Sequence, residues 1–79
     1  MFHNHSFGFV LIKPQFELPK NLIEKGGVVK TEELRMQSVN KVKNFIRENF
    51  NWNIVEVIPS PIKGPKGNQE YILCVEINL

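Results

Sequence analysis

The sequence predicts a small α/β fold in which one helix packs against a three-stranded sheet, in the order β-α-β-β. Short apolar runs rich in β-branched and aromatic residues predict strands at residues 7–13, 53–58 and 70–77. Between the first two runs, apolar residues recur at helical spacing, which predicts one amphipathic helix. A chain of 79 residues makes one domain with a thin core, so a partner is the expected support.

The first strand ends at Pro14, because proline has no N–H to donate to a sheet ladder. Residues 15–30 then carry Pro19, Gly26 and Gly27 without a lasting period, which predicts a long connection. Connections of this length are usually functional.

The predicted helix begins after Thr31, a plausible N-cap, and Glu32 and Glu33 suit the positive end of the helix dipole. Its apolar residues are Leu34, Val39, Val42, Phe45, Ile46 and Phe50. The opposite face is charged and predicts a solvated surface, with RNA contact as the less favoured alternative. Phe50 and Trp52, at the helix end, are expected to pack rather than to stack on bases.

The sheet is predicted to be mixed. A strand, a helix and a second strand in one sheet favour a parallel pair, and the loop rich in glycine and proline before residue 70 favours an antiparallel return. All three strands are apolar on both faces, which is typical of a sheet covered on both sides. One helix covers one face only, so a missing part of a larger domain or a second copy is expected to cover the other.

Composition narrows the class of protein. Ten Lys and Arg against eight acidic residues give a net charge of +2, which is compatible with nucleic-acid binding without indicating it. The chain has a single cysteine, Cys74, which excludes an internal disulfide and favours a cytoplasmic protein. Cys74 is expected to be a small buried apolar residue. No apolar stretch reaches the roughly 18 residues of a membrane span.

Residues 1–6 predict a disordered start, and His3 and His5 lack a third ligand, so no metal site is predicted.

Lys13 and Glu70 are the candidate catalytic residues. Lys13 ends a buried strand, where open α/β sheets place ligands, and a charge there is costly without a partner or a purpose. Glu70 opens a strand expected to run antiparallel, so both residues fall at the same end of the sheet. These observations leave a structural ion pair and a catalytic pair about evenly matched.

Three segments carry a resemblance to a known family: VLIKPQFE at 10–17, KGGVVK at 25–30 and IPSPIKGPKGNQEY at 58–71. In this order and spacing they closely resemble the C-terminal part of the hemolysin-A (TlyA) branch of the FtsJ-like ribosomal RNA methyltransferases. The resemblance covers residues 7–79. It implies a partial Rossmann-like methyltransferase fold in which the last strand is inserted between the first two.

The resemblance implies methylation of a ribose 2′-hydroxyl from S-adenosylmethionine by a Lys-Asp-Lys-Glu tetrad. Lys13 matches the second lysine and Glu70 the glutamate; the lysine would orient the hydroxyl and help remove its proton, and the glutamate would hold the lysine in position. The first lysine, the aspartate, the glycine-rich cofactor loop and the RNA-binding module have no counterpart here. Arg35 stands where the family often has histidine.

The sequence-based hypothesis is therefore a C-terminal fragment of a ribosomal RNA ribose 2′-O-methyltransferase, inactive alone. S-adenosylmethionine and ribosomal RNA are expected as ligands of the parent protein, and no cofactor is expected for the fragment. Lys63 and Lys66 flank glycines beside the proposed site and either contact RNA phosphates or lie in a solvated turn. The alternative is a small non-enzymatic interaction module that pairs through its uncovered sheet face.

Overall fold

A computed structural model of the chain describes residues 5–78. The three strands and the long helix follow the predicted order, but the predicted connection after the first strand also contains a four-residue helix, and two 3-10 turns lie in the connections. The elements are β1 His5–Ile12, α1 Pro14–Glu17, a 3-10 turn Lys20–Leu22, α2 Glu32–Asn49, β2 Trp52–Pro59, a 3-10 turn Pro65–Gly67 and β3 Tyr71–Asn78.

β1 begins two residues earlier than the sequence indicated. His5 and Ser6 pair with Asn78 and Ile77 of β3, so they belong to the sheet and not to a disordered start. The earlier residues of that predicted start, 1–4, and with them His3, lie outside the described residues.

The sheet has the strand order β1-β3-β2, which confirms that the last strand inserts between the first two. β3 is antiparallel to both of its neighbours. β1 and β2 therefore run in the same direction, as predicted, but β3 separates them and every ladder between described strands is antiparallel. A β-bulge at Val55 interrupts the pairing of β2 between Ile54 and Glu56.

Helix α2 forms where capping and apolar spacing agree. The Thr31 side chain accepts a hydrogen bond from the Leu34 N–H at 3.2 Å, and the first turn carries the two predicted glutamates. The helix ends before Phe50, whose N–H donates to the Ile46 carbonyl at 2.9 Å. Its buried side chains face the sheet and close the core. The core consists of Ile12, Val39, Ile46, Tyr71, Leu73 and Val75.

The predicted apolar face of α2 is only partly buried. Val39 and Ile46 are in the core and Val42 packs against it, but Phe45 is 58% and Phe50 43% exposed. The two rings instead join an aromatic cluster in which Phe50 stacks on Trp52, with ring centroids 4.2 Å apart. Trp52 packs against the core as expected, whereas Phe50 lies outside it and stacks on Trp52 instead. No helix of residues 5–78 has both the length and the apolar character needed to cross a membrane.

No helix of residues 5–78 covers the second face of the sheet, which we call the uncovered face and which the strand composition predicted. Phe7, Phe9 and Leu11 of β1 point away from α2 and are 62%, 75% and 50% exposed. The register places them beside Glu76, Cys74 and Ile72 of β3. Cys74 is therefore half-buried on this face, and the expectation of a core cysteine is wrong because β3 turns its odd-numbered residues toward the helix.

Candidate active site

Lys13 and Glu70 lie at the same end of the sheet. The β1–β3 ladder ends at the pair Ile12 and Tyr71, so Lys13 directly follows the last paired residue of β1 and Glu70 directly precedes that of β3. This proximity depends on the inserted strand, because a different strand order would place β2 between them. The topology thus brings together the two residues that the sequence singled out.

Glu70 is buried, at 6% exposure, and is held by neighbours that do not carry a positive charge. Its Oε2 accepts a hydrogen bond from Gln15 Nε2 at 2.8 Å. Gly64 lies against the same carboxylate so closely that a Cβ there would overlap Oε2. A salt bridge of 2.9 Å joins Lys30 and Glu24, but no salt bridge to Glu70 is found among the residues that the structure describes.

Lys13 is positioned by the turn that follows it. Its carbonyl accepts hydrogen bonds from the N–H groups of Phe16 and Glu17 at 2.9 and 3.1 Å, which fixes the backbone at the start of α1. Its Nζ lies 5.8 Å from the centroid of the Phe16 ring. The amine and the Glu70 carboxylate therefore share one end of the sheet without forming a direct ion pair, and Gln15 occupies the hydrogen-bonding position on the carboxylate.

Asn68 links the two loops that flank this end. The side chain is buried, at 2% exposure, and its Oδ1 accepts from the Val29 N–H at 2.9 Å. Its Nδ2 donates to the carbonyls of Gly27 and Pro65 at 2.9 and 3.0 Å. One amide thereby satisfies three backbone groups of two segments nearly forty residues apart in sequence, two positions before Glu70.

Sequence reasoning did not assign roles to Gln15, Gly64 or Asn68. All three belong to the segments that carried the resemblance, KPQFE and KGPKGNQE, but neither charge nor periodicity distinguishes an amide or a glycine in a loop. The structure reveals their roles by their contacts. Gln15 and Gly64 contact the Glu70 carboxylate, and Asn68 forms hydrogen bonds with the backbone of both loops.

Lys63 and Lys66 differ in their surroundings. Lys63 Nζ donates to Gln69 Oε1 at 2.8 Å, and Gln69 in turn donates to the Ser60 carbonyl, so Lys63 is tied to its own loop. Lys66 is exposed, has a left-handed backbone with φ of 60°, and carries its Nζ over the Gly27 turn. Of the two, Lys66 is the more available to a ligand.

Arg35 braces the connection from the Gly27 turn to α2. Its Nη1 donates to the carbonyls of Lys30 and Val29 at 3.1 and 3.4 Å. The Nε atom is buried without a partner among the described residues. Arg35 thus takes a structural part in ordering the segment that Asn68 also holds.

The described residues do not fit a cofactor or a metal ion by themselves. Across residues 5–78 there is no cluster of three His, Cys, Asp or Glu side chains that could ligate a metal. Gly26 and Gly27 form the turn of an isolated β-bridge between Glu24 and Val28, and no helix begins directly after this turn. The turn therefore lacks the strand-turn-helix geometry that binds nucleotide-like cofactors.

Comparison with known proteins connects this chain to a family. The sequence model of the FtsJ-like methyltransferase family matches residues 2–77. The 16S/23S rRNA (cytidine-2′-O)-methyltransferase TlyA of Mycobacterium tuberculosis is 46% identical over 63 residues, which are 80% of this chain and 23% of that protein. Hemolysin A of Brachyspira hyodysenteriae is 40% identical over 72 residues, 89% of this chain and 29% of that protein.

Solved structures show the same fold. A putative hemolysin from Streptococcus thermophilus superposes with a TM-score of 0.86 over 99% of this chain and 28% of its own, at 24% identity. A putative hemolysin from Lactococcus lactis superposes with a TM-score of 0.84 over 94% of this chain and 35% of its own, also at 24% identity. The chain spans about a quarter of the length of the relatives it matches. From the family match across nearly its whole length, the chain belongs to the FtsJ-like methyltransferase family.

Proposed function

We propose that this chain supplies the Lys13–Glu70 half of the catalytic site of a ribosomal RNA ribose 2′-O-methyltransferase. One observation carries the proposal: a buried carboxylate without a direct cationic partner sits at the sheet end where Lys13 emerges. A buried carboxylate is costly unless it is hydrogen-bonded or has a function, and such groups are found at functional sites more often than elsewhere. The match to TlyA, which is named for cytidine 2′-O-methylation, supports the same reaction.

In this proposal Lys13 orients the ribose 2′-hydroxyl and Glu70 keeps the lysine amine in place. The carboxylate is itself fixed by Gln15 and by the close approach of Gly64. A fixed negative charge attracts the flexible amine toward one position at the sheet end, which lowers the entropy lost when the hydroxyl binds. The two residues therefore position and balance charge as a unit.

The methyl donor of the family, S-adenosylmethionine, is proposed to bind outside the region matched here, with the remaining two members of the tetrad. This follows from the share of the relatives that the chain spans and from the absence of a cofactor-binding turn within residues 5–78. The chain alone is accordingly proposed to be inactive. Ribosomal RNA would be the substrate of the whole enzyme, and the cytoplasm its compartment.

A chimera tests the proposal. Replacing the matched region of M. tuberculosis TlyA with residues 7–79 of this chain should give a protein that transfers labelled methyl groups to ribosomal RNA. Because positioned acid–base groups contribute about 10²–10⁴-fold to rate, Lys13→Ala and Glu70→Ala in the chimera should each lower methyl transfer by roughly that factor.

The matched control is Lys43→Ala, which removes a lysine from the second half of α2 and should leave methyl transfer unchanged. Circular dichroism of each variant separates lost chemistry from lost folding. Full activity of a folded Lys13→Ala chimera would show that the lysine is not catalytic.

The isolated chain gives a second measurement. Calorimetric titration of the 79-residue chain with S-adenosylmethionine should show no heat of binding, because cofactor affinity in Rossmann-like sheets depends on an earlier strand and its glycine turn. A micromolar Kd would contradict the assignment of cofactor binding to the remainder of the enzyme.

A different function is favoured by the uncovered sheet face alone. Phe9 and Leu11 expose apolar surface on this face that fits a small interaction module pairing with a protein or with a second copy. Such a module requires neither Lys13 nor Glu70. An inactive chimera combined with tight self-association of the chain would favour this alternative.

A further inference from the structure

Phe16 is an exposed aromatic residue that the packing of the chain does not explain. All phenylalanines in residues 5–78 are at least partly exposed, but four of them have apolar surroundings in common. Phe7 and Phe9 belong to the uncovered sheet face, and Phe45 and Phe50 join the aromatic cluster with Trp52. Phe16 belongs to neither group and is 71% exposed.

The short helix α1 directs Phe16 outward. Pro14 and Leu18, two residues to either side, are buried, so the turn that anchors them leaves Phe16 on its outer side. The ring lies at the proposed catalytic end, with Lys13 Nζ 5.8 Å from its centroid. An aromatic surface is thereby presented beside the amine.

Two cavities meet at this ring. One, of about 180 Å³, lies between Phe16, the Gly27 turn and Lys66, and Asn68 also lines it. The other, of about 390 Å³, lies between Phe16, Lys20 and Ile23. Gln15 lines both cavities, and its Oε1 has no hydrogen-bond partner among the described residues.

Three of the charged side chains around the ring are lysines, and the Glu70 carboxylate nearby accepts a hydrogen bond from Gln15. Lys13, Lys20 and Lys66 border the two cavities or the ring between them. Glu24 also lines the larger cavity, but its carboxylate is paired with Lys30 at 2.9 Å, which offsets its charge. A ligand that is flat, aromatic and attached to anionic groups matches this arrangement.

We propose that Phe16 is the stacking platform for the nucleobase of the RNA nucleotide that is methylated, with Lys20 and Lys66 beside the adjoining phosphates. This inference rests on the proposed function and extends it to the recognition of the base. In a nucleotide the base is joined directly to the ribose that carries the 2′-hydroxyl, so a base site must lie within one sugar of Lys13. The Phe16 ring meets that requirement.

A nucleobase is favoured over an apolar protein partner by the composition of the surroundings. The uncovered sheet face offers several apolar side chains in a row, whereas each cavity at Phe16 has a lysine in its lining, Lys66 beside the glycine turn in the smaller one and Lys20 in the larger one. Enzymes that extrude a base from its stack hold it by stacking it against aromatic or apolar side chains, which offsets part of the cost of unstacking.

Binding of a short oligocytidylate to the 79-residue chain tests the inference without cofactor or catalysis. Fluorescence anisotropy should give an affinity that Phe16→Ala lowers about fivefold or more, since stacking on one aromatic ring contributes roughly 1–3 kcal/mol per base. Binding of an abasic oligomer with the same sugars and phosphates should be unchanged by Phe16→Ala. Phe16→Trp should keep or strengthen the binding of oligocytidylate.

Phe9→Ala is the matched control, because Phe9 is exposed to a similar extent, 75%, but lies on the uncovered sheet face. It should leave both affinities unchanged. Lys66→Gln should weaken oligocytidylate and the abasic oligomer alike and reduce the salt dependence of binding.

Equal effects of Phe16→Ala on the two oligomers, or no effect on either, would overturn the stacking role. A fall in thermal stability of the TlyA chimera on Phe16→Ala, with unchanged KM for RNA, would also overturn it by identifying Phe16 as a packing residue. Methyl transfer by the chimera is measured separately, so the proposed reaction can stand when the base site fails, and the base site can stand when the reaction fails.

Discussion

The two faces of the sheet are built from the same kinds of residue and have opposite surroundings. On the side of α2, Ile12, Leu73 and Val75 are at most 1% exposed. On the other side, Phe9 and Leu11 are 75% and 50% exposed. An apolar side chain therefore contributes most to the stability of this chain where the long helix α2 covers it, and apolar residues such as Phe9 on the opposite face keep much of their surface exposed.

The comparison also explains where order at the candidate site comes from. The loops at the catalytic end join the covered side, through buried Asn68, Leu18 and Val29. They are held by hydrogen bonds to backbone groups and not by packing against the uncovered face. The half of the site in this chain can therefore be preformed even when the second face of the sheet is bare.

Substitution of one leucine on each face gives the largest expected difference. Leu73→Ala, in the covered core, should lower the free energy of unfolding by about 2–5 kcal/mol, the range for cavity-forming substitutions. Leu11→Ala, on the uncovered face, should lower it by about 1 kcal/mol or less, because half of that side chain already contacts water. Urea unfolding measures both. Equal losses would show that the second face is covered in solution.

Two asparagines, one buried in a loop that joins the covered side and one exposed beside the uncovered face, give a second comparison. Asn68→Ala should cost about 1–3 kcal/mol, since it leaves the buried Val29 N–H and the Gly27 carbonyl without their partner. Asn53→Ala removes an exposed 3.2 Å bond to Glu76 beside the uncovered face and should change stability by about 0.5 kcal/mol or less. A loss from Asn68→Ala no larger than the loss from Asn53→Ala would contradict the bridging role of Asn68.

Self-association through the uncovered face should show the smallest effect of substitution. Phe9→Lys should raise the Kd of self-association about tenfold, the effect of losing one well-buried contact at an interface, and should hardly change the stability of the monomer. Phe45→Lys, on α2, is the control and should leave the Kd unchanged. Sedimentation at several concentrations gives the Kd. A strict monomer at every concentration would show that this face does not pair with a second copy.

Much of the fold could be predicted from residue patterns, because the patterns are local. The Thr31 cap, the two glutamates after it and the spacing of Val39, Val42 and Ile46 locate α2 within a residue or two. The strands follow from β-branched runs bounded by proline or glycine. The helical period also placed Phe45 and Phe50 on the buried face, although both are exposed. Periodicity shows which residues share a face of the helix but not how far the sheet covers that face.

The candidate site could be predicted in part. Lys13 and Glu70 stand out because charges at the ends of apolar strands are unusual, and their matching to the family remains the basis for a catalytic role. Their separation and partners could not be predicted. Nor could the hydrogen bond from Gln15, an uncharged residue of α1, to the Glu70 carboxylate be predicted, because no charge or period marks a glutamine in a loop.

The sequence by itself determined the element order, the capping of α2, the two-sided apolar strands and the resemblance to the family, because each depends on neighbours along the chain or on residue identity. Only the tertiary structure decided which sheet face is covered, that Asn68 joins two distant loops and that Gly64 lies on Glu70. These features depend on contacts between residues six to forty positions apart. Such contacts form when strand insertion and loop closure bring the segments together, and no local pattern encodes them.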